Sequence, residues 1–207
     1  MVFNGEIYNH NALREELRAA GYGFRGHSDT EMALAAFERW GIADAVPRFV
    51  GMFAIAVWDA ETRSLALIRD RLGIKPLYVA SNRGHLTFGS ELKAIAAHPD
   101  FRPKINRHAL ALYMRHGYVP APFTIYEGIS KLLSGCFLTI SAQQPDPVVE
   151  SYWSGRAVAE RGVLEPLDVA PQEAVDQLER LLGQAVERQM LADVPLGAFL
   201  SGGVDSS

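Results

Sequence analysis

The sequence Val2-Phe3-Asn4-Gly5-Glu6-Ile7-Tyr8-Asn9 decides how the rest of the chain is interpreted. Two apolar residues lead directly into a run of small and polar groups, which predicts a strand that ends where a site begins. The Asn4 side-chain amide and the Gly5 backbone N–H can donate two hydrogen bonds to one developing oxyanion, and Glu6 adds a carboxylate beside them. Asn-Gly is also the commonest chemistry of a tight turn, so a purely structural strand-to-helix turn is the alternative.

The composition of the 207 residues is that of an ordinary globular protein, with 48% apolar residues and a net charge of −4. The acidic balance disfavours nucleic acid as a partner. No apolar run approaches the length of a membrane span, and no charged-then-apolar leader opens the chain, so we expect a cytoplasmic protein without membrane contact. The single cysteine, Cys136, excludes an internal disulfide, and its apolar neighbours favour a buried thiol over a nucleophile.

A second candidate group lies in the stretch Ser28-Asp29-Thr30-Glu31. A serine followed by a glutamate three residues later is typical of a capping box, and it predicts a helix that ends at Gly41. If Ser28 is the cap, the backbone does not need the Asp29 carboxylate, which is then available to bind a cation such as a substrate ammonium group. The alternative is that Asp29 only complements the helix dipole, which is worth about 0.3–1 kcal/mol.

The middle of the chain is predicted to form strands joined by turns. Residues 52–58 are an almost unbroken apolar run, which predicts a strand covered on both faces, and residues 64–68 form its return partner. The charged loop at 69–78 contains a glycine and a proline. Loops of this kind usually fix strand geometry, so we favour a structural role over a catalytic one.

The last part of the chain has a different pattern. Residues 154–170 carry no clear period and are interpreted as a linker. Pro171 then begins a predicted helix with one apolar stripe that is expected to pack in a core, formed by Val175, Leu178, Leu182, Val186 and Met190. Residues 193–200 predict a strand that leads into a glycine- and hydroxyl-rich loop, an arrangement that presents backbone N–H groups to phosphate. The Gly-Lys-Ser/Thr signature of a Walker loop is absent.

Six ordered motifs together resemble glutamine-hydrolysing asparagine synthetases. They are Asn4-Gly5-Glu6-Ile7-Tyr8-Asn9, Ser28-Asp29-Thr30-Glu31, Gly51-Met52-Phe53-Ala54, the loop at 69–78, Ser90-Glu91-Leu92-Lys93 and the loop at 201–207. The resemblance implies an α+β glutaminase domain at 1–153 with the N-terminal-nucleophile hydrolase fold, a four-layer αββα sandwich that is incomplete here. A linker at 154–170 and the first elements of an α/β ATP-pyrophosphatase domain at 171–207 would follow.

The resemblance also assigns roles to single residues. Asn4 and Gly5 correspond to the oxyanion hole, and Glu6 and Asp29 join them in binding glutamine. The start of the ATP loop corresponds to Leu200, Ser201, Gly202, Gly203, Val204, Asp205 and Ser206. In this comparison Leu200 lies near the adenine nucleotide and Asp205 binds Mg²⁺. The implied ligands are glutamine, aspartate and ATP with Mg²⁺, with no organic prosthetic group, and a homodimer is the assembly to test.

The sequence also departs from the family pattern. The nucleophile of the family is a processed N-terminal cysteine upstream of the Asn-Gly-Glu motif, whereas here Met1 precedes Val2 and Cys136 does not correspond to it. The arginine that binds the glutamine carboxylate and most of the synthetase domain are also absent. We therefore expect a fragment that is inactive alone, from a parent that is an ATP-dependent ligase with glutamine as amido donor. A relative that makes a different amide and a non-catalytic binding module remain the alternatives.

Overall fold

The computed structural model describes residues 1–82, 85–192 and 194–204, which divide into two compact units, Met1–Leu164 and Glu165–Ser207. The helices and strands of the first unit, in chain order, are β1 (Val2–Ile7), α1 (His10–Ala19), α2 (Asp29–Ala45), a short 3-10 turn (Val46–Arg48), β2 (Gly51–Asp59), β3 (Ser64–Arg69), β4 (Tyr78–Asn82), β5 (His85–Gly89), α3 (Leu92–Ala96), α4 (Arg107–His116), β6 (Ile129–Lys131), β7 (Cys136–Ser141), β8 (Val148–Ser151) and α5 (Gly155–Leu164). The second unit contains α6 (Pro171–Gln189).

The strands form two antiparallel sheets, with the orders β1-β2-β3-β7-β8 and β5-β4-β6. Side chains of a strand alternate between its two faces, and β2 buries both. Phe53 and Ile55 enter a core shared with α1 and α2, whereas Ala54 and Ala56 enter a second core that includes residues of the other sheet. The predicted strand covered on both faces is confirmed.

The two cores account for the layers of the first unit. In the first core, Leu17 of α1 and Met32 of α2 pack with residues of the five-stranded sheet. In the second core, Leu67 of β3 packs with Val79 of β4, so the two sheets lie face to face. The short helix α3 contacts β5 and buries Ile95. The result is a sandwich of helix, sheet, sheet and helix.

Strand β1 does not end at the Asn-Gly pair, as the sequence predicted, but continues to Ile7 in register with Gly51 of β2. Gly5 has a φ of 148°, and a Cβ atom there would lie 2.0 Å from the carbonyl oxygen of Met52. A Cβ on Gly51 would likewise lie 2.1 Å from the carbonyl oxygen of Glu6. The two glycines therefore permit a close approach of neighbouring strands, and the turn interpretation is wrong.

Helix α2 begins as predicted and is interrupted at Gly41, the residue at which the sequence predicted its end. The Ser28 hydroxyl accepts the backbone N–H of Glu31 at 3.3 Å, which confirms the cap. The Glu31 carboxylate, however, accepts the backbone N–H groups of Arg25 and Gly26, both at 2.8 Å, so it stabilises the loop before the helix. At Gly41, with a φ of 72°, the chain kinks and resumes a helical path to Ala45.

Two predictions for the last part of the chain are wrong. Within the segment interpreted as a linker, residues Gly155–Leu164 form α5 at the end of the first unit. The apolar stripe of α6 is present but exposed, with Val175 and Met190 both at 55%. The described residues of 194–200 are not a strand. A strand requires a neighbouring strand to pair with, and an apolar helix face requires a surface to pack against. The described residues of Glu165–Ser207 contain no strand that could provide the pairing or the surface.

Candidate active site

The amino end of α2 brings a carboxylate onto β1. Asp29, the first residue of α2, accepts the backbone N–H of Ile7 through Oδ2 at 3.0 Å, and the Thr30 hydroxyl lies 3.5 Å from its Oδ1. The sequence predicted that no backbone group would need Asp29, and this is wrong, because the group it serves is on β1 and not on its own helix. The contact places Asp29 beside the run that contains Asn4 and Glu6, and the side chain is still partly exposed.

The exposed side chain of Asn4 is held by a residue from the other sheet. Its Nδ2 donates to the Oγ of Ser90 at 2.9 Å. Ser90 directly follows β5, 86 residues along the chain, so sequence reasoning placed it in a motif but missed this contact. Because a carboxamide carries two N–H groups on Nδ2, one stays available for a ligand.

The surroundings of β1 are negatively charged. Burial raises the pKa of the Tyr8 hydroxyl, and the charges of Glu6 and Asp70 raise it further, because each penalises a second negative charge. Asp29 accepts the backbone N–H of Ile7, and Glu6 is the residue directly before Ile7 on β1. Two carboxylates at one strand favour a cation such as an ammonium group, while the Asn4 amide and the Gly5 backbone offer N–H donors to an oxygen.

The loop at 69–78 has the structural role that the sequence predicted. Asp70 is completely buried, and its carboxylate accepts four backbone N–H groups, from Phe53, Leu72, Ile74 and Lys75. The Arg69 guanidinium donates to three backbone carbonyls within and beside the loop, those of Gly73, Lys75 and Leu132. Burial lowers the pKa of Arg69, although the adjacent Asp70 charge acts in the opposite direction. Both side chains therefore direct their hydrogen bonds to backbone groups, which is a structural role.

Cys136 lies in the core between the sheets and is 6% exposed. Burial raises the pKa of its thiol, and a hydrogen bond with Ser151 offsets only part of this effect. A thiol with a raised pKa forms little thiolate, the nucleophilic form, at neutral pH. The prediction of a buried small hydrophobe is confirmed.

The second unit adds little to a site among the residues that the structure describes. Leu200 and Val204 are exposed, and the residues from 194 to 203 form no helix or strand. The predictions for Asp205 and Ser206 lie outside the described residues. Within the described part of the chain, no group of three metal-ligating side chains comes together, and no helix is long and apolar enough to cross a bilayer.

Two protein families match this chain. The glutamine amidotransferase domain family matches residues 1–153, and the asparagine synthase family matches residues 177–207. A putative glutamine-hydrolysing asparagine synthetase of Mycobacterium tuberculosis is 41% identical over all of this chain, and asparagine synthetase 3 of Bacillus subtilis is 38% identical. The chain covers 32% of each, so it spans about a third of the length of these relatives.

A solved structure shows the fold. The glutamine phosphoribosylpyrophosphate amidotransferase of Bacillus subtilis superposes with a TM-score of 0.50 and 18% identity, over 73% of this chain and 28% of that one. The predicted N-terminal-nucleophile hydrolase fold is thereby confirmed, with two face-to-face sheets between helical layers. The resemblance drawn from the six motifs is confirmed as well, and the chain belongs to the glutamine amidotransferase domain family.

Proposed function

We propose that this chain is part of an asparagine synthetase that releases ammonia from glutamine and uses it to amidate ATP-activated aspartate. The observation that carries the proposal is the docking of the Asp29 carboxylate on the Ile7 N–H, which gathers Asn4, Gly5, Glu6 and Asp29 at one strand. Glutamine has an amide oxygen at one end and an α-ammonium group at the other. The N–H donors suit the oxygen, and the carboxylates suit the ammonium group.

Each of these residues has a distinct role in the proposal. Asn4 and Gly5 donate to the amide oxygen as it becomes negatively charged during acyl transfer. Glu6 and Asp29 bind the α-ammonium group of glutamine and fix the substrate in place. Because the only cysteine, Cys136, is buried with a raised thiol pKa, the proposal places the nucleophile outside these 207 residues. The polypeptide 1–207 alone is then inactive as a glutaminase.

The second half of the reaction is proposed from the asparagine synthase match at 177–207. The glycine-rich loop from Leu200 to Ser206 would bind ATP, since glycine backbone N–H groups suit phosphate oxygens, and the Asp205 carboxylate suits Mg²⁺. Aspartate is the proposed acid, and a related acid is the alternative. A cytoplasmic location and a homodimer complete the proposal, in keeping with the soluble substrates.

The decisive experiment substitutes Asn4 in the full-length protein. Asn4→Ala should lower kcat for glutamine hydrolysis roughly 10²- to 10³-fold, because one oxyanion donor is lost. Synthesis of the amide from free ammonia should persist, since ammonia bypasses the glutamine site. Glutamate release and amide formation are measured separately.

The matched control is Asn11→Ala, which removes an exposed asparagine on α1. It should leave both reactions unchanged. The oxyanion assignment is wrong if Asn4→Ala leaves glutaminase kcat intact, or if it abolishes the ammonia-dependent reaction too. If the protein uses ammonia to amidate an acid other than aspartate, the proposed product is wrong, but the glutaminase assignment is unaffected.

A further inference from the structure

We propose that Ser90 is a positioning residue, which holds the Asn4 carboxamide in the orientation that donates to the oxyanion. The inference rests on the proposed function of Asn4 and names a residue that acts through it. Its basis is the hydrogen bond from Asn4 Nδ2 to Ser90 Oγ at 2.9 Å, which links β1 of one sheet to the residue after β5 of the other.

The geometry of a carboxamide explains how Ser90 can act. The two N–H groups of Nδ2 lie in one plane with the carbonyl, so fixing the direction of one fixes the other. Asn4 is exposed on β1, at the end of the strand order in the described sheet, and rotation about its last side-chain bond is broad and soft. The Ser90 hydroxyl removes that freedom and keeps the second N–H aimed at the substrate position.

Ser90 is itself held firmly, because it lies at the tight junction between β5 and α3. Gly89 pairs in register with Tyr78, and a Cβ atom on Gly89 would lie 3.3 Å from the Cβ of Ala94. The Ala94 backbone N–H donates to the carbonyl of Glu91 at 3.1 Å, so the first turn of α3 starts directly after Ser90. The backbone of Ser90 is therefore held between the end of β5 and the start of α3.

The alternative is that the Asn4–Ser90 hydrogen bond only stabilises the contact between the two sheets. The Asn4–Ser90 bond is exposed, and a neutral hydrogen bond at the surface contributes little to folding because water replaces it. Aligning a donor before the charge develops acts instead on the transition state. The two roles therefore predict different changes, one in melting temperature and the other in kcat.

The test uses the full-length protein and measures kcat and KM for glutamine hydrolysis together with melting temperature. Ser90→Ala should lower kcat about fivefold, the effect of losing one neutral hydrogen bond in the transition state, with KM and melting temperature unchanged. Ser90→Thr keeps the hydroxyl and should restore most of kcat. Ser130→Ala, which removes an exposed serine from β6 of the same sheet, is the matched control and should change nothing.

A double-mutant cycle separates this inference from the proposed function. In an Asn4→Ala background, Ser90→Ala should have no further effect, because its only route to the reaction is gone. The positioning role is wrong if Ser90→Ala leaves kcat unchanged. It is also wrong if Ser90→Ala lowers kcat by the same factor in the Asn4→Ala protein as in the unsubstituted protein. If Asn4→Ala slows hydrolysis and Ser90→Ala does not, only the positioning role fails. If Asn4→Ala has no effect, the oxyanion assignment fails with it.

Discussion

Two aspartates in the first unit, Asp70 and Asp29, each accept a backbone N–H group from the five-stranded sheet, yet they have different roles. Asp70 is completely buried and accepts four N–H groups, which is about the full capacity of a carboxylate. Asp29 is partly exposed and accepts one backbone N–H, from Ile7. A saturated, buried carboxylate can only hold the fold, whereas an exposed one with spare acceptor capacity can also bind a ligand.

The largest expected effect that tests this contrast is on folding, in Asp70→Asn. The substituted side chain has the same shape, but its amide nitrogen turns N–H groups toward N–H donors of the backbone and the charge is lost. We expect a loss of about 3 kcal/mol or more in the free energy of unfolding, so that little folded protein accumulates. Soluble yield and denaturant melts measure it.

Asp59→Asn is the matched control for Asp70, since Asp59 accepts backbone N–H groups in an exposed turn. Its effect on the free energy of unfolding should be small by comparison. A stable, cooperatively unfolding Asp70→Asn protein would show that saturation does not make a carboxylate structural.

The next effect is on binding, in Asp29→Asn of the full-length protein. The proposed ammonium contact is present in ground state and transition state alike, so KM for glutamine should rise roughly 10- to 100-fold with kcat little changed. The remaining oxygen still accepts the Ile7 N–H, so the melting temperature should fall by only a few degrees. A drop in kcat at constant KM would place Asp29 in the chemistry instead.

The smallest effect concerns a third carboxylate, that of Glu31. The backbone N–H groups of Arg25 and Gly26 lower its pKa below the usual 4.5, because both stabilise the charged form. A folded-state pKa below the unfolded value gives stability that is present above about pH 4.5 and is lost as the pH falls through the folded value. Glu31→Gln should therefore lower the melting temperature slightly at pH 7 and not at all in strong acid.

The exposed Glu38 on the same helix provides the control, since Glu38→Gln removes one charge without removing these contacts. Thermal melts between pH 3 and pH 7, a range that spans ordinary glutamate titration, compare the two variants. If the melting temperatures of Glu31→Gln and the unsubstituted chain differ by the same amount at every pH, the hydrogen bonds from Arg25 and Gly26 do not depend on the charge of Glu31.

The sequence predicted well wherever a signal was local or periodic. The β2 run, the Ser28 cap, the structural loop at 69–78 and the buried Cys136 were all predicted. Each depends on neighbours within a few residues or on the alternation of a strand. It failed at the Asn-Gly pair, since whether these residues turn or continue a strand depends on β2, which lies about 50 residues away.

The second unit shows the other limit. A regular apolar stripe on α6 and an apolar run at 193–200 are valid local signals, but the stripe is exposed and the described residues of the run are not a strand. The spacing of apolar residues shows which face of a helix or strand can be buried, but it does not show whether another element is present to bury it. The same kind of signal produced structure in the first unit because the matching strands and helices are present there.

By itself, the sequence determined which chemical groups this protein has and the family motifs in which they occur: the amide, glycine and carboxylate of Asn4-Gly5-Glu6, the carboxylate of Asp29, and a lone cysteine among apolar residues. Only the tertiary structure decided that Ser90 meets the Asn4 amide, that Asp29 docks on Ile7 and that four N–H groups converge on Asp70. The physical reason is that a hydrogen bond acts over about 3 Å, and folding alone brings residues that are far apart in the chain within that distance.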